Sequence, residues 1–127
     1  MTSAITRAPP AMDVQPDQWH IVRDILQKHV PGNAVWAFGS RAKGTAKPFS
    51  DLDLAVITDQ PLSLDLCASL SEDFSLSNLP WKVDVVDWAT TSDVFRAIIA
   101  RDKVVIQQPT AQQIKSEPDR GSSKENL

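Results

Sequence analysis

Two aspartates one residue apart, Asp51 and Asp53, stand at the start of an apolar segment of this chain. Side chains on a β-strand repeat every second residue, so the two carboxylates are expected on one face, with Cβ atoms roughly 6–7 Å apart. Like charges placed this close repel each other unless hard cations lie between them. Mg²⁺ takes oxygen ligands from one or two carboxylates together with substrate phosphates, so the pair predicts a magnesium site.

A glycine-serine turn, Gly39-Ser40, precedes the aspartate pair with ten residues between them. The apolar run 35–38 predicts a buried strand, and Gly39 ends it where the chain must turn without a Cβ clash. Backbone N–H groups that enter a short helical turn at this point have no partner within it. They can therefore form a cradle for anionic oxygens, and the turn predicts a phosphate-binding site.

Cationic side chains follow this turn, although the whole chain carries 16 acidic and 13 basic residues. They are Arg41, Lys43 and Lys47, and no Asp or Glu occurs between residues 25 and 50. A basic loop by itself is usually no more than a solvated surface. Because this loop lies between the turn and the carboxylates, Arg41 and Lys43 are expected to screen phosphate charge.

A third carboxylate, Asp84, interrupts a β-branched segment at residues 81–88 that predicts another buried strand. An unpaired charge inside such a strand costs on the order of several kcal/mol, so a partner or metal is expected. Asp87 is the alternative, but its odd spacing from Asp84 turns it to the opposite face, where it is expected to cap the next turn. The predicted metal ligands are therefore Asp51, Asp53 and Asp84.

The elements that must position these residues follow from periodicity and capping signals. We expect a helix from Pro16 to just before Pro31, strands at 35–38, 50–57 and 81–88, helices at 62–76 and 94–101, and a short edge strand at 104–106. Residues 1–14 are expected to be a flexible arm and 15–107 the folded domain. Residues 108–127 have almost nothing apolar to bury, so we expect a disordered tail.

Composition narrows the classes of protein. A chain of 127 residues with 42% apolar content predicts one domain with a modest core. A net charge of −3 gives no reason to expect nucleic-acid binding. The single cysteine, Cys67, excludes an internal disulfide and is expected to be a buried, inert thiol. No run reaches the roughly 18 apolar residues of a membrane span and the start lacks a signal-peptide core, so a cytoplasmic location is expected.

The Gly-Ser turn, the Asp51-x-Asp53 pair and the later lone aspartate together resemble the DNA polymerase β-type nucleotidyltransferase superfamily. The short length resembles its minimal nucleotidyltransferases, the MNT proteins of prokaryotes. The match covers about residues 33–88 by motif and 16–106 by layout. Lys43 stands where many relatives have arginine, which keeps the charge but removes a bidentate fork. The implied fold is α/β (α+β), a polymerase β-like minimal nucleotidyltransferase with a small mixed sheet backed by helices.

The resemblance also implies an activity, the transfer of AMP from ATP to a hydroxyl with two Mg²⁺ ions. The implied catalytic and metal-binding residues are Asp51, Asp53 and Asp84, and the implied phosphate-binding residues are Gly39, Ser40, Arg41 and Lys43. Asp84 would hold the nucleophile-side metal and help take the hydroxyl proton. The implied acceptor is a tyrosine on a small helical HEPN toxin, for which this protein would be the antitoxin. The chain itself contains no tyrosine, so that modification would occur on another protein.

Two other functions stay open on the sequence alone. A non-catalytic antitoxin would neutralise its partner by stoichiometric binding. A small-molecule nucleotidyltransferase, such as an aminoglycoside-modifying enzyme, would act without a protein partner, although the short chain leaves little room for a drug pocket.

Overall fold

The computed structural model describes residues 12–109 as a four-stranded sheet with four helices. In chain order the elements are α1 (Pro16–His29), β1 (Val35–Phe38), α2 (Gly39–Lys43), β2 (Leu52–Val56), α3 (Leu64–Leu76), β3 (Val83–Asp87), a 3₁₀ turn (Trp88–Thr90), α4 (Asp93–Asp102) and β4 (Val104–Gln107). Every element expected from the sequence is confirmed, with ends that differ by a few residues. Within the described range, no helix combines the length and the apolar character that crossing a membrane requires.

Side chains and proline fix where the helices begin. Pro16 is in the first turn of α1, where its missing N–H costs no hydrogen bond. The hydroxyl of Ser63 accepts from the Leu66 N–H at 3.1 Å at the start of α3. Ser92 does the same for the Phe95 N–H at 3.2 Å, which confirms the cap expected before α4.

The strands lie in the order β3-β2-β1-β4, so β3 and β4 are the edges. β1 runs antiparallel to both of its neighbours, whereas β2 and β3 are parallel. Parallel neighbours need a long crossover, and α3 provides it between these two strands. The sheet is therefore mixed, as expected, and β4 is an edge strand, as expected.

The two faces of the sheet are covered unequally. The first face packs on α1 and α3 and carries the main core, which includes Trp19, Leu26, Val35, Leu54, Leu70 and Phe74. The second face packs on α4 through a small cluster of Phe38, Ala55 and Ile99. Because side chains alternate along β2, Leu52 and Leu54 belong to the first face and Asp53 to the second. The aspartate therefore lies on the face with the thinner cover.

Residues 12–14, which fall in the flexible arm expected for residues 1–14, pack against the rest of the domain. Val14 is buried in the main core with Met12 packed against it. The Asp13 N–H donates to the Arg41 carbonyl at 2.9 Å, and the Asp13 carboxylate accepts from the Ala46 N–H at 3.1 Å. Residues 12–14 therefore belong to the packed domain. The rest of the expected arm, residues 1–11, and the tail from 110 to 127 lie outside the described residues.

Candidate active site

Gly39 and Asp53 are in direct contact where β1 ends and α2 begins. Gly39 has φ +78°, a left-handed conformation that residues with a Cβ rarely adopt. A Cβ at Gly39 would overlap the Oδ2 atom of Asp53 and lie 3.3 Å from its Cγ. Glycine is thus required twice, by the backbone conformation and by the space that the carboxylate fills. The Asp53 side chain consequently lies against the start of α2.

Asp84 lies beside Asp53 on the neighbouring strand. The parallel register of β2 and β3 pairs the Cα atoms of these two residues directly, so both side chains project from the second face. Burial raises the pKa of the Asp53 carboxyl above its ordinary value, and the charges of Asp84 and then Asp51 raise it further. Asp53 is therefore close enough to both Asp84 and Asp51 for their negative charges to disfavour its own.

Asp51 is one residue before β2 rather than within it, since the strand begins at Leu52. Among residues 12–109, no group of three histidine, cysteine, aspartate or glutamate side chains is placed so that it could hold a metal ion as it stands. The aspartates are thus neighbours but not a closed ligand shell. This donor set still fits Mg²⁺ in kind, because Mg²⁺ is usually bound through one or two carboxylates with substrate phosphates completing its shell.

The exposure of Asp84 differs from the expectation. The sequence suggested a charge inside a buried strand, but Asp84 is exposed because β3 is an edge strand. No desolvation cost therefore demands a partner for this carboxylate, and that argument for a metal was wrong. The case for Asp84 now depends on its alignment with Asp53.

Asp87 faces away from this group and caps the turn that follows β3, as expected. Its carboxylate accepts from the N–H groups of Leu62 at 2.7 Å and Ala89 at 3.2 Å, and from the hydroxyl of Thr58. Three donors hold this side chain on the first face. Asp87 is therefore a structural residue.

The Arg41 side chain lies elsewhere than the sequence suggested. Its guanidinium donates to four main-chain carbonyls, those of Asp13 (2.9 Å), Lys47 (3.2 Å), Pro48 (2.8 Å) and Ser50 (2.8 Å). It also lies 4.5 Å from the ring centroid of Trp81, and the residue is only 5% exposed. Burial lowers the pKa of Arg41, while Asp13 and Asp51 act in the opposite direction. These contacts hold the loop 44–50 in place, and the guanidinium does not face the site. The expectation that Arg41 screens phosphate charge was therefore wrong.

An open cavity of about 610 Å³ lies over this end of the second face. Its charged lining consists of Lys43, Asp53, Asp84, Arg101 and Asp102. Lys43 Nζ lies 3.8 Å from Asp102 Oδ2, and the Arg101 guanidinium holds both Asp102 oxygens at 3.0 and 3.2 Å. Lys43 therefore lines the cavity with the aspartates, as the phosphate-site hypothesis requires. Arg101 and Asp102 were not predicted as site residues, because a basic residue in the last turn of a helix is common for electrostatic reasons alone.

A second cavity, of about 510 Å³, lies between α3 and the edge strand β3. Its walls include Cys67, Leu70, Phe74 and Trp81, and Asp84 borders both cavities. Cys67 is half-buried rather than fully buried, so the thiol is more accessible than expected.

This chain is similar to known proteins in sequence and in fold. The family model described as "Polymerase beta, Nucleotidyltransferase" matches residues 21–111. A protein of Haemophilus influenzae named "Probable protein adenylyltransferase MntA" is 54% identical over 97 residues, which are 76% of this chain and 85% of that protein. The range 21–111 that the family model matches contains the turn, the aspartate pair and Asp84.

Solved structures share the fold. A crystal structure of a toxin–antitoxin with AMP-PNP matches with a TM-score of 0.61 and 25% identity, covering 74% of this chain and 75% of that one. A tri-AMPylated Shewanella oneidensis HEPN toxin in complex with MNT antitoxin matches with a TM-score of 0.55 and 22% identity, covering 74% and 71%. The second likeness bears on fold alone. The expected polymerase β-like minimal nucleotidyltransferase fold is confirmed.

Proposed function

Because the chain belongs to the polymerase β nucleotidyltransferase family, we propose that it transfers AMP from ATP to a hydroxyl on a HEPN-type toxin and so acts as its antitoxin. The observation that carries this proposal is the alignment of Asp53 with Asp84 on one face of the sheet, with Gly39 against Asp53. The name of the Haemophilus influenzae relative and the AMP-PNP in the toxin–antitoxin structure support the nucleotide and the acceptor class.

Two Mg²⁺ ions would be held by Asp51, Asp53 and Asp84. When bound, they supply charge neutralisation for the triphosphate and make the acceptor hydroxyl more acidic. The raised pKa of Asp53 supports this assignment, since the carboxylates around it leave negative charge that a cation would compensate.

The chain's own residues then bind and orient the reactants. Lys43 and the amides at Gly39 and Ser40 would hold the phosphates, and Arg101 adds a second cation beside them. Asp84, exposed at the cavity, would accept the proton of the acceptor hydroxyl. The bond from the acceptor oxygen to the α-phosphorus forms as the bond from that phosphorus to the bridging oxygen breaks, and pyrophosphate leaves with the electron pair. Positioning and electrostatics account for catalysis of this kind.

The acceptor is proposed to be a tyrosine hydroxyl of the partner. This chain has no tyrosine, so such a phenol must come from another protein. A cytoplasmic location, where ATP and a toxin made by the same cell would meet, remains part of the proposal.

Labelled ATP and Mg²⁺ test the reaction on a co-expressed HEPN-type partner. Asp53→Asn should abolish labelling of the partner and remain folded, because it removes a charge that Asp84 and Asp51 repel. Asp59→Asn is the matched control, since Asp59 is an exposed aspartate in the loop after β2. Undiminished labelling by Asp53→Asn would refute the assignment. Full protection of cells by an Asp51→Asn/Asp53→Asn double variant would instead identify a stoichiometric, non-catalytic antitoxin.

A further inference from the structure

We propose that Phe49 is an anchor for the partner protein that carries the acceptor hydroxyl, presented beside the site by Arg41. The inference rests on the proposed function, because it assigns a docking point to the substrate protein of that reaction. Phe49 lies two residues before Asp51, and the residue is 81% exposed to solvent. Aromatic side chains that can be buried on binding dominate the energetics of many protein interfaces.

The loop that carries Phe49 is held on both sides of this residue. The Arg41 guanidinium donates to the carbonyls of Lys47 and Pro48, before Phe49, and to that of Ser50, after it. The Ser50 N–H donates to the Lys47 carbonyl, and the Lys47 N–H donates to the Ser50 hydroxyl, both at 3.0 Å. The backbone around Phe49 is therefore organised before any partner binds, which reduces the entropy lost on association.

Arg41 is an unusual residue to find beneath a connecting loop. Burying a guanidinium is unfavourable unless its donors are paired, and here four carbonyls and the face of Trp81 provide the pairing. The buried Arg41 side chain therefore holds the loop on its inner side, while the Phe49 side chain stays exposed to solvent. The phenyl ring of Phe49 is thus carried by a loop whose backbone is held in place by hydrogen bonds.

A protein is a better candidate than the nucleotide base for the group that contacts Phe49. Phe49 is not among the residues that line the 610 Å³ cavity over Asp53 and Asp84. Its exposed neighbours are Lys47 and Pro48. The partner is therefore expected to offer an apolar pocket with an acidic side chain at its edge, which would receive the ring and face Lys47.

The first test compares Phe49→Ala with Leu64→Ala in binding to the co-expressed HEPN-type partner, measured without ATP. Leu64 is 86% exposed at the start of α3, so it is a matched large apolar side chain elsewhere on the surface. Phe49→Ala should weaken partner binding by about tenfold or more, as truncation of an interface anchor does. Leu64→Ala should leave it unchanged. Affinity for AMP-PNP should be the same in both variants and the parent.

The second test uses Arg41→Lys, which keeps the charge and loses the fork that reaches both flanks of Phe49. It should weaken partner binding, and adding it to Phe49→Ala should weaken binding little further, because the two residues act through one contact. Independent, additive losses would overturn the role given to Arg41. Unchanged partner affinity in Phe49→Ala, or a loss confined to AMP-PNP affinity, would overturn the anchor.

Different results would overturn the two proposals, AMP transfer to the partner and the Phe49 anchor. If Phe49→Ala weakens the complex but the parent protein never labels its partner, the docking surface stands and the AMP transfer falls. If the parent labels its partner and Phe49→Ala changes neither the affinity nor the KM for that partner, the transfer stands and the anchor falls.

Discussion

The carboxylate of Asp53 fills the space where a side chain on Gly39 would begin. Gly39 directly follows the last residue of β1, and Asp53 lies in β2 opposite Phe38, so the contact joins the turn to the aspartate pair across two antiparallel strands. Two parts of the motif that are separated in sequence, the Gly-Ser turn and the Asp-x-Asp pair, are therefore in direct contact in the fold. Spacing in the motif has a physical cause, because only a loop of suitable length returns Asp53 to this position.

Gly39→Ala should cost both stability and activity. The left-handed conformation alone is unfavourable for alanine by about 1 to 2 kcal/mol. The new methyl must also displace the Asp53 carboxylate, and a displacement of about 1 Å near the reacting atoms can reduce the rate roughly 100-fold. The measurements are thermal unfolding and the rate of AMP transfer.

Gly44→Ala is the control for this prediction. Gly44 has φ +76°, nearly the same as Gly39, but a Cβ there would meet no atom within 4 Å. It should therefore lose stability for the same backbone reason and keep most of its AMP transfer. Equal loss of activity in the two variants would show that the contact with Asp53 is not what matters.

The charges at the end of α4 should tune nucleotide affinity in opposite directions. Asp102 pairs with Lys43 and Arg101, so it competes with phosphate for both cations. Arg101→Gln should weaken AMP-PNP binding, and Asp102→Asn should tighten it. Each change should be about fivefold or less, because an ion pair with a solvent-exposed cation contributes roughly 0.2–1 kcal/mol.

Both shifts should shrink as salt is raised, since Lys43 and Arg101 are solvent-exposed and their charges are therefore screened. Lys28→Gln, on α1, is the control for a general loss of positive charge and should leave the affinity unchanged. Weaker binding in Asp102→Asn would contradict the competition and would instead make that carboxylate part of the support for the cations.

An ion pair between α1 and α3 should make stability depend on pH. Hydrogen bonds from His29 at 2.6 Å and Lys28 at 3.2 Å lower the pKa of the Asp73 carboxyl. A carboxyl with a lowered folded-state pKa contributes stability above its ordinary pKa, and this contribution is lost as pH falls through the lowered value. Asp73→Asn should therefore unfold at a lower temperature than the parent at pH 7.

The gap between the two unfolding temperatures should narrow as pH falls below about 4, where aspartates ordinarily protonate. Asp59→Asn should match the parent at every pH. A gap that stays constant down to low pH would mean that Asp73 stabilises the fold by packing rather than by its charge.

Local signals explain how much of this molecule could be predicted. The apolar runs, the glycine at the turn and the serine caps each depend on a few neighbouring residues, so the helices and strands could be predicted from the sequence. The contact of Gly39 with Asp53 was not predicted, because it joins residues on two different strands. The pairing of β2 with β3 is non-local, and the sequence alone does not state which strands become edges. The exposure of Asp84 was missed for that reason.

The guanidinium of Arg41 shows a different limit. A cluster of cations in a sequence gives the local sign of charge but not the direction of each side chain. Trp81 and the carbonyls that hold Arg41 come from distant positions or from the backbone, and neither is visible in a motif. Arg101 and Asp102 join the cavity only through the packing of α4 on the second face, which is again a tertiary effect.

The pairing of Asp53 with Asp84 makes the proposed activity depend on the correct register of β2 and β3. If β3 paired with β2 one position out of register, the Asp84 side chain would turn to the opposite face of the sheet, and the proposed active site would lose this carboxylate while the sheet stayed largely intact. A misassembled molecule of this kind would look folded by its secondary structure and be inert. Turnover per molecule therefore reports the fraction of the population whose strands are correctly matched.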